Sequence, residues 1–223
     1  MKYSVIIPTC DAVGVDVKKC VDSVRKYSSD VEIILVANGA AHSVLNIGCD
    51  AVIWHDERIG YTKAINEGAS LAKGEYLILM NDDVELLGQT KNTWLEMLEL
   101  PFSEQRMAVT GPIIKHCETT AILFVLFFCA MIPRKIFELL CGLDEQFNPG
   151  FGEDIDFCAR VAKHEYLIRA VPDQEYTFDA ENKMYLSRFP IYHAGSKTVG
   201  AMAGYPDIVK RNSELLLKKY GKL

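Results

Sequence analysis

The sequence predicts an α/β protein with a mostly parallel central sheet flanked by helices. Short apolar runs rich in β-branched and aromatic residues, "YSVIIP", "VEIILVA", "AVIW" and "EYLILM", alternate with segments of helical spacing. Such alternation builds parallel strands joined by helical crossovers, which cover both faces of the sheet. With 223 residues, 49% of them hydrophobic and 24% charged, the chain has enough material for one well-packed core. A single domain over residues 1–223 is expected.

The elements follow in order. After "YSVIIP", residues Val17, Cys20, Val21, Val24 and Tyr27 recur at three and four, while Lys18, Lys19, Asp22 and Arg25 fall elsewhere, so this is an amphipathic helix. The second and third strands are "VEIILVA" and "AVIW"; a helix from Tyr61 to Lys73, stopped by Gly74, leads to "EYLILM". After Pro101 the rhythm changes to "MAVTGPIIK" and then to the run from Ala121 to Ile132. That run, "AILFVLFFCAMI", is 12 residues long, too short to span a bilayer, and reads as one buried strand. A short helix from Pro133 to Leu140, a Gly-rich loop around "FNPGFG", a helix starting at Glu153, the strand "YLIRAV" and a helix from about Pro206 to Tyr220 complete the chain. The later half is expected to close over the edge of the sheet as an appendage.

Charge and cysteines narrow the function. A net charge of −6 argues against nucleic acid as a nonspecific partner, which requires a basic face. Seven cysteines make an odd count with no C-x-x-C pair, suggesting neither a disulfide framework nor a zinc ribbon and fitting a reducing cytoplasm. The start, "MKYSVIIPTC", lacks the apolar core and cleavage site of a signal peptide. The final "VKRNSELLLKKYGKL" is basic with a Leu cluster, which admits peripheral contact with an anionic membrane as well as simple packing on the core.

The chemistry concentrates at strand ends, where ligands bind in open parallel sheets. Asn81, Asp82 and Asp83 follow "EYLILM", Thr9 to Asp11 follow the first strand, and Asn38 ends the second. Adjacent carboxylates repel unless a cation or hydrogen-bond donors meet them, and Mn2+ or Mg2+ commonly bridges such groups to phosphates. A plain Asn/Asp turn is the alternative. A second cluster stands in "GFGEDIDFCARV". On a helix from Glu153, Asp154 shares its stripe with Phe157, Cys158 and Val161, whereas Glu153, Asp156, Arg160 and Lys163 take other faces. An inward carboxylate is desolvated and made more basic, as a general base requires; acidic residues at a helix start also simply stabilise its dipole.

In this order, "SVIIPT", "GEYLILMNDDVEL", "GLDEQF", "GFGEDIDFCARV" and "YHAGSKTVG" resemble the motifs of inverting family 2 glycosyltransferases with the GT-A fold. The resemblance implies a nucleotide-sugar-binding half (1–115) and an acceptor-binding half (116–223). It implies a nucleotide-diphosphate sugar as donor and a saccharide, lipid-linked or protein-linked glycan as acceptor. Pro8, Thr9, Asp11, Asn38, Arg58 and Asp82 then serve the nucleotide sugar, and Asp83 and His193 the metal, Mn2+ or Mg2+. Asp154 is the base that deprotonates the acceptor hydroxyl in a single displacement, and Glu153 touches the acceptor. Three departures stand out: Ala37 replaces an Asp that helps read the base, Cys10 and Asp11 replace a Tyr-Asn pair, and Asn81 replaces the first Asp of a D-x-D motif. Arg58 or Lys63 supplies cationic help for the phosphates. The rival readings are a nucleotidyltransferase, which would want a Gly-rich basic loop absent from "PTCDAVGVDVKK", and a noncatalytic nucleotide-sugar-binding module.

Overall fold

In the computed structural model, which describes residues 1–10, 14–40, 42–172, 176–179, 184–195 and 204–221, the chain is organised around a seven-stranded sheet. Strands β1 (Tyr3–Thr9), β2 (Val31–Asn38), β3 (Ala51–His55) and β4 (Tyr76–Met80) pair in parallel in the order β3-β2-β1-β4. The short strand β5 (Val84–Leu86) follows β4. Then come β6 (Met107–Gly111), β7 (Ile114–His116), β8 (Leu123–Val125), β9 (Cys129–Pro133) and β10 (Leu167–Ala170). Past them lie the antiparallel pair β11 (Tyr176–Asp179) and β12 (Met184–Ser187), and β13 (Ile191–His193), which pairs with β5. The helices are α1 (Val15–Tyr27), α2 (Tyr61–Leu71), α3 (Thr93–Glu99), α4 (Arg134–Leu139), α5 (Glu153–Lys163) and α6 (Tyr205–Tyr220).

Period-two alternation along buried strands explains the two-sided core. Val5 and Ile7, Ile33 and Leu35, Ile78 and Met80 face α1 and α3, meeting Val17, Val21, Trp94 and Leu98. Ile6, Ile34, Leu77 and Leu79 point the other way, toward Ile65 of α2, Phe137 of α4, and Phe157 and Val161 of α5. Helix α2 stops at Leu71, two residues before the expected end. The buried Glu32 carboxylate captures the next amides, accepting from Lys73 N at 2.5 Å and Gly74 N at 3.3 Å.

Two expectations are corrected. The run 121–132 is not one strand but two. Leu126 N donates to Ile113 O and Asn81 N donates to Phe128 O, so the backbone changes partners between β8 and β9. Uniform apolarity conceals such a turn, because it records burial and not hydrogen-bond partners. Nor is the second half an appendage. β9 inserts antiparallel between β4 and β6, and β10 extends the sheet, giving the order β10-β6-β9-β4-β1-β2-β3. No helix among the described residues is long and apolar enough to cross a membrane.

Candidate active site

Because β9 runs opposite to its neighbours, its first residue lies beside the last residue of β4, in the register Met80 to Cys129. The turn carrying Phe127 and Phe128 therefore reaches the rim where the parallel strands end. Loops from both halves of the chain meet there around a cleft of about 890 Å³. Pro8, Thr9, Asn38, Arg58, Asp82, Asp83, Glu153, Asp154 and His193 all line it, so one space gathers nine of the ten residues singled out in the sequence. The tenth, Asp11, lies outside the described residues. Lys63 is exposed on α2 and does not line the cleft, which leaves Arg58, exposed at the mouth, as the cation of that pair.

At the strand ends, Thr9 Oγ1 donates to Asp82 Oδ2 at 2.6 Å, tying the end of β1 to the loop after β4. Asn38, at the end of β2, accepts from Ile59 N at 2.6 Å and Gly60 N at 3.2 Å. Its carbonyl oxygen is thus engaged in holding the loop before α2; only its amide group is left to face a base. Ala37 is fully buried beside it and offers no polar group to the cleft.

The short β5–β13 ladder pairs His193 with Val84, and Ala194 N donates to Asp83 O at 3.1 Å. The His193 ring stacks on Phe128, with centroids 4.4 Å apart and planes 6° apart. This fixes Nε2 3.1 Å from Asp83 Oδ1. The approach is off hydrogen-bond alignment, so that fully buried Asp83 oxygen has no donor. A buried carboxylate oxygen without a donor is costly, and a cation between carboxylate and imidazole removes the cost. The pair fits a divalent ion, but only as two ligands: among the described residues no three His, Cys, Asp or Glu side chains form a metal cage.

At the start of α5, Gly152 caps the helix with φ 86°, a left-handed backbone that glycine adopts without strain, and Glu153 and Asp154 turn into the cleft. Burial pushes both carboxyls above the ordinary range; the neighbouring Asp154 charge adds to the rise at Glu153, while the Ile155 amide opposes it at Asp154. Glu153 is 9% exposed and its Oε2 has no partner. Asp154 is only half-buried, so water in the cleft moderates its rise.

The expected face of Asp156 is corrected. It is completely buried, accepting from Arg160 Nε at 2.9 Å, Tyr220 OH at 2.6 Å and the Lys219 ammonium. A stripe analysis assumes one buried face, but α6 covers a second face of α5. Lys219 and Leu216 of α6 are likewise turned onto the protein body.

Several site residues escaped the sequence reading. Asn212 of α6 is 1% exposed, and its amide donates to the carbonyls of Phe147 (3.1 Å), Gly150 (2.8 Å) and Phe151 (2.7 Å), which form the loop just before Glu153. Asn148 of that loop donates to Ile59 O and accepts from Thr62 Oγ1 at 3.0 Å, while Tyr61 N donates to Pro149 O at 2.8 Å. Asn38 is thus linked through Ile59 to Asn148, and Asn212 holds the same loop through the carbonyls on either side of Asn148. Gly60 sits against Asn148 at φ 89°, where a Cβ would lie 2.0 Å from Asn148 Oδ1. An Asn on the inner stripe of an otherwise amphipathic helix was the one readable sign of Asn212.

The sequence model described as Glycosyl transferase family 2 matches residues 4–121, more than half of the chain. The chain belongs to that family. This glycosyltransferase is 32% identical over 93 residues to the PGL/p-HBAD biosynthesis glycosyltransferases of Mycobacterium bovis BCG and Mycobacterium tuberculosis H37Ra, covering 38% of this chain and 36% of theirs. It is 33% identical over 90 residues to glycosyltransferase GlyG of Streptococcus pneumoniae, covering 36% of this chain and 29% of that one. The chain thus spans about a third or less of the length of the relatives it matches. Among solved structures, the mannosyltransferase PcManGT of Pyrobaculum calidifontis, in complex with GDP-Man and Mn2+, matches all of this chain and 76% of its own, with a TM-score of 0.62 at 13% identity. GalNAc-T7 with UDP, GalNAc and Mn2+ matches 75% of this chain and 42% of its own, with a TM-score of 0.64 at 17% identity. These likenesses establish the GT-A fold. Family membership favours a glycosyltransferase over the nucleotidyltransferase and binding-module readings.

Proposed function

We propose that this glycosyltransferase is metal-dependent and transfers its sugar with inversion to an acceptor hydroxyl, Asp154 acting as general base. The observation that carries the reading is one cleft lined both by the Asp83–His193 pair and by Asp154. Pro8, Thr9, Asn38, Arg58 and Asp82 bind the nucleotide diphosphate, and Asp83 and His193 hold Mn2+ or Mg2+. When bound, that ion neutralises charge on the diphosphate. Asp154 Oδ1 is held by Ile155 N at 2.8 Å, so Oδ2 is the oxygen presented to the acceptor. It takes the hydroxyl proton while the acceptor oxygen bonds to the anomeric carbon. The bond to the diphosphate oxygen breaks on the opposite face, and the nucleoside diphosphate leaves with the electron pair. Glu153 contacts the acceptor beside it. Seven cysteines with no C-x-x-C pair support a reducing compartment such as the cytoplasm.

Calorimetric titration of UDP, GDP, dTDP and CDP, each with and without Mn2+, tests the donor and metal parts together. Tight, metal-dependent binding of one nucleotide supports the reading and names the donor class. Equal binding with and without metal removes the metal from it, and no binding by any nucleotide overturns the donor site.

A further inference from the structure

We propose that the acceptor carries, beside its reacting hydroxyl, an apolar body, an alkyl or aryl aglycone, which lies against helix α6; this rests on the reading of Asp154 as the base. Much of the lining that shares the cleft with Glu153 and Asp154 is apolar. Leu126 and Phe127 enter from the turn before β9, Phe151 and Ile155 flank the carboxylates, and α6 supplies Ile208 and Val209. On α6, Tyr205, Ile208, Val209, Asn212 and Leu216 follow helical spacing, with Lys210, Arg211, Glu214 and Lys218 on other faces. Asn212 and Leu216 are buried in packing, but Ile208 and Val209 stay partly exposed to the cleft.

The polar groups on this side are already engaged. The Asn212 amide serves three carbonyls, and its oxygen accepts from Arg211 Nε at 2.9 Å. Tyr61 OH donates to Phe127 O at 3.1 Å, and Asn148 holds Ile59 and Thr62. Glu153, Asp154 and Ser213 can meet acceptor hydroxyls, and Lys115 adds one further polar head to the lining. One reacting hydroxyl and a neighbour can be satisfied there. Further sugar hydroxyls pressed against Ile208 and Val209 would lose their water without replacement, each weakening binding by about an order of magnitude. A ring or chain of methylenes in the same place gains on burial. Aromatic faces stack on sugars as well, but branched aliphatic side chains give a polyhydroxyl surface no partner. The apolar wall is continuous with the base, so its occupant is the remainder of the molecule whose hydroxyl Asp154 meets.

The test compares methyl, hexyl and phenyl β-glucosides, which share one set of hydroxyls, in two measurements. Binding is read by calorimetry with UDP or GDP and Mn2+ present; transfer is read with UDP-glucose, UDP-GlcNAc and GDP-mannose as donors. Hexyl and phenyl glucosides are expected to bind at least about tenfold more tightly than methyl glucoside. In Ile208→Ser and Val209→Ser the ratio should fall toward one, while Ile208→Val should keep it. Equal binding of all three glucosides, no binding of any, or a ratio unchanged in both Ser variants overturns the proposal. Failure of the base assignment is seen separately, as transfer retained in Asp154→Asn.

Discussion

The proposed donor and acceptor sides of the cleft are built by different means. At the donor end, polar side chains stand at or just beyond strand termini: Thr9 on β1, Asn38 on β2, Asp82 and Asp83 after β4. The ladder that orders the strands also positions them. At the acceptor end, Glu153 and Asp154 start a helix whose preceding loop is held by side-chain amides from distant segments, Asn148 to Ile59 and Asn212 to Phe147, Gly150 and Phe151. Sheet architecture therefore supplies rigidity to one end, and a few buried hydrogen bonds supply it to the other. The donor end should tolerate changes elsewhere, whereas the acceptor end should respond to substitutions that touch no substrate.

The largest expected effect separates the ends by chemistry. Asp154→Asn should lower transfer by about 10²- to 10⁴-fold and leave nucleotide affinity within about twofold, as single-turnover rates and calorimetry would show; near-normal transfer would refute the base. The same variant carries a stability signature. Burial raises the Asp154 and Glu153 carboxyls, so across the interval between ordinary and raised values the folded chain binds more protons than the unfolded one. Stability thus falls as pH rises through that interval, and Asp154→Asn should melt higher than the parent at pH 8 while the two converge at pH 4. The acid limb of kcat/KM in the parent should lie above the ordinary carboxylate range.

Next is the anchor of α6. Asp156→Ala leaves Arg160 and Lys219 without their buried partner and should cost about 3–5 kcal/mol in denaturant titrations. A loss under 1 kcal/mol would mean that α6 is held mainly by apolar contact. Asp83→Ala should weaken Mn2+-dependent nucleotide binding by about tenfold or more, with metal-free binding unchanged; an equal loss in both conditions would make Asp83 a direct nucleotide contact. The smallest effect is the most diagnostic. Asn212→Ala removes the donor to three carbonyls and should cost about 1–3 kcal/mol of stability. It should lower kcat several-fold while nucleotide Kd holds; a parallel loss in both would show that the two ends are one mechanical unit.

The same contrast explains what was legible in the sequence. Apolar runs ending in Thr9, Asn38 and Asp82 mark strand ends locally, so the donor rim needs only period-two reading and the rule that ligands sit beyond carboxyl ends. His193 came from motif resemblance, since nothing local couples it to Asp83 more than a hundred residues away. Asn148, Tyr61 and Asn212 act through backbone atoms remote in sequence, and pattern analysis registers side-chain burial, not which carbonyl a side chain meets. Asp156 was misplaced for a related reason: its partners Lys219 and Tyr220 lie in a helix whose docking the local stripe could not contain. The turn between β8 and β9 was hidden because all of its residues are apolar.

The place of β9 bears on how the protein can be dissected. Residues 4–121, the part that matches the family, contain β1 to β4 but not β9, which covers the edge of β4 from Tyr76 to Met80. A fragment ending there would display a row of unpaired amides and carbonyls on a flat apolar strand, a template for edge-to-edge self-association. The recognisable family segment therefore lacks the strand that covers this edge, and a fragment extended to Pro133 regains it.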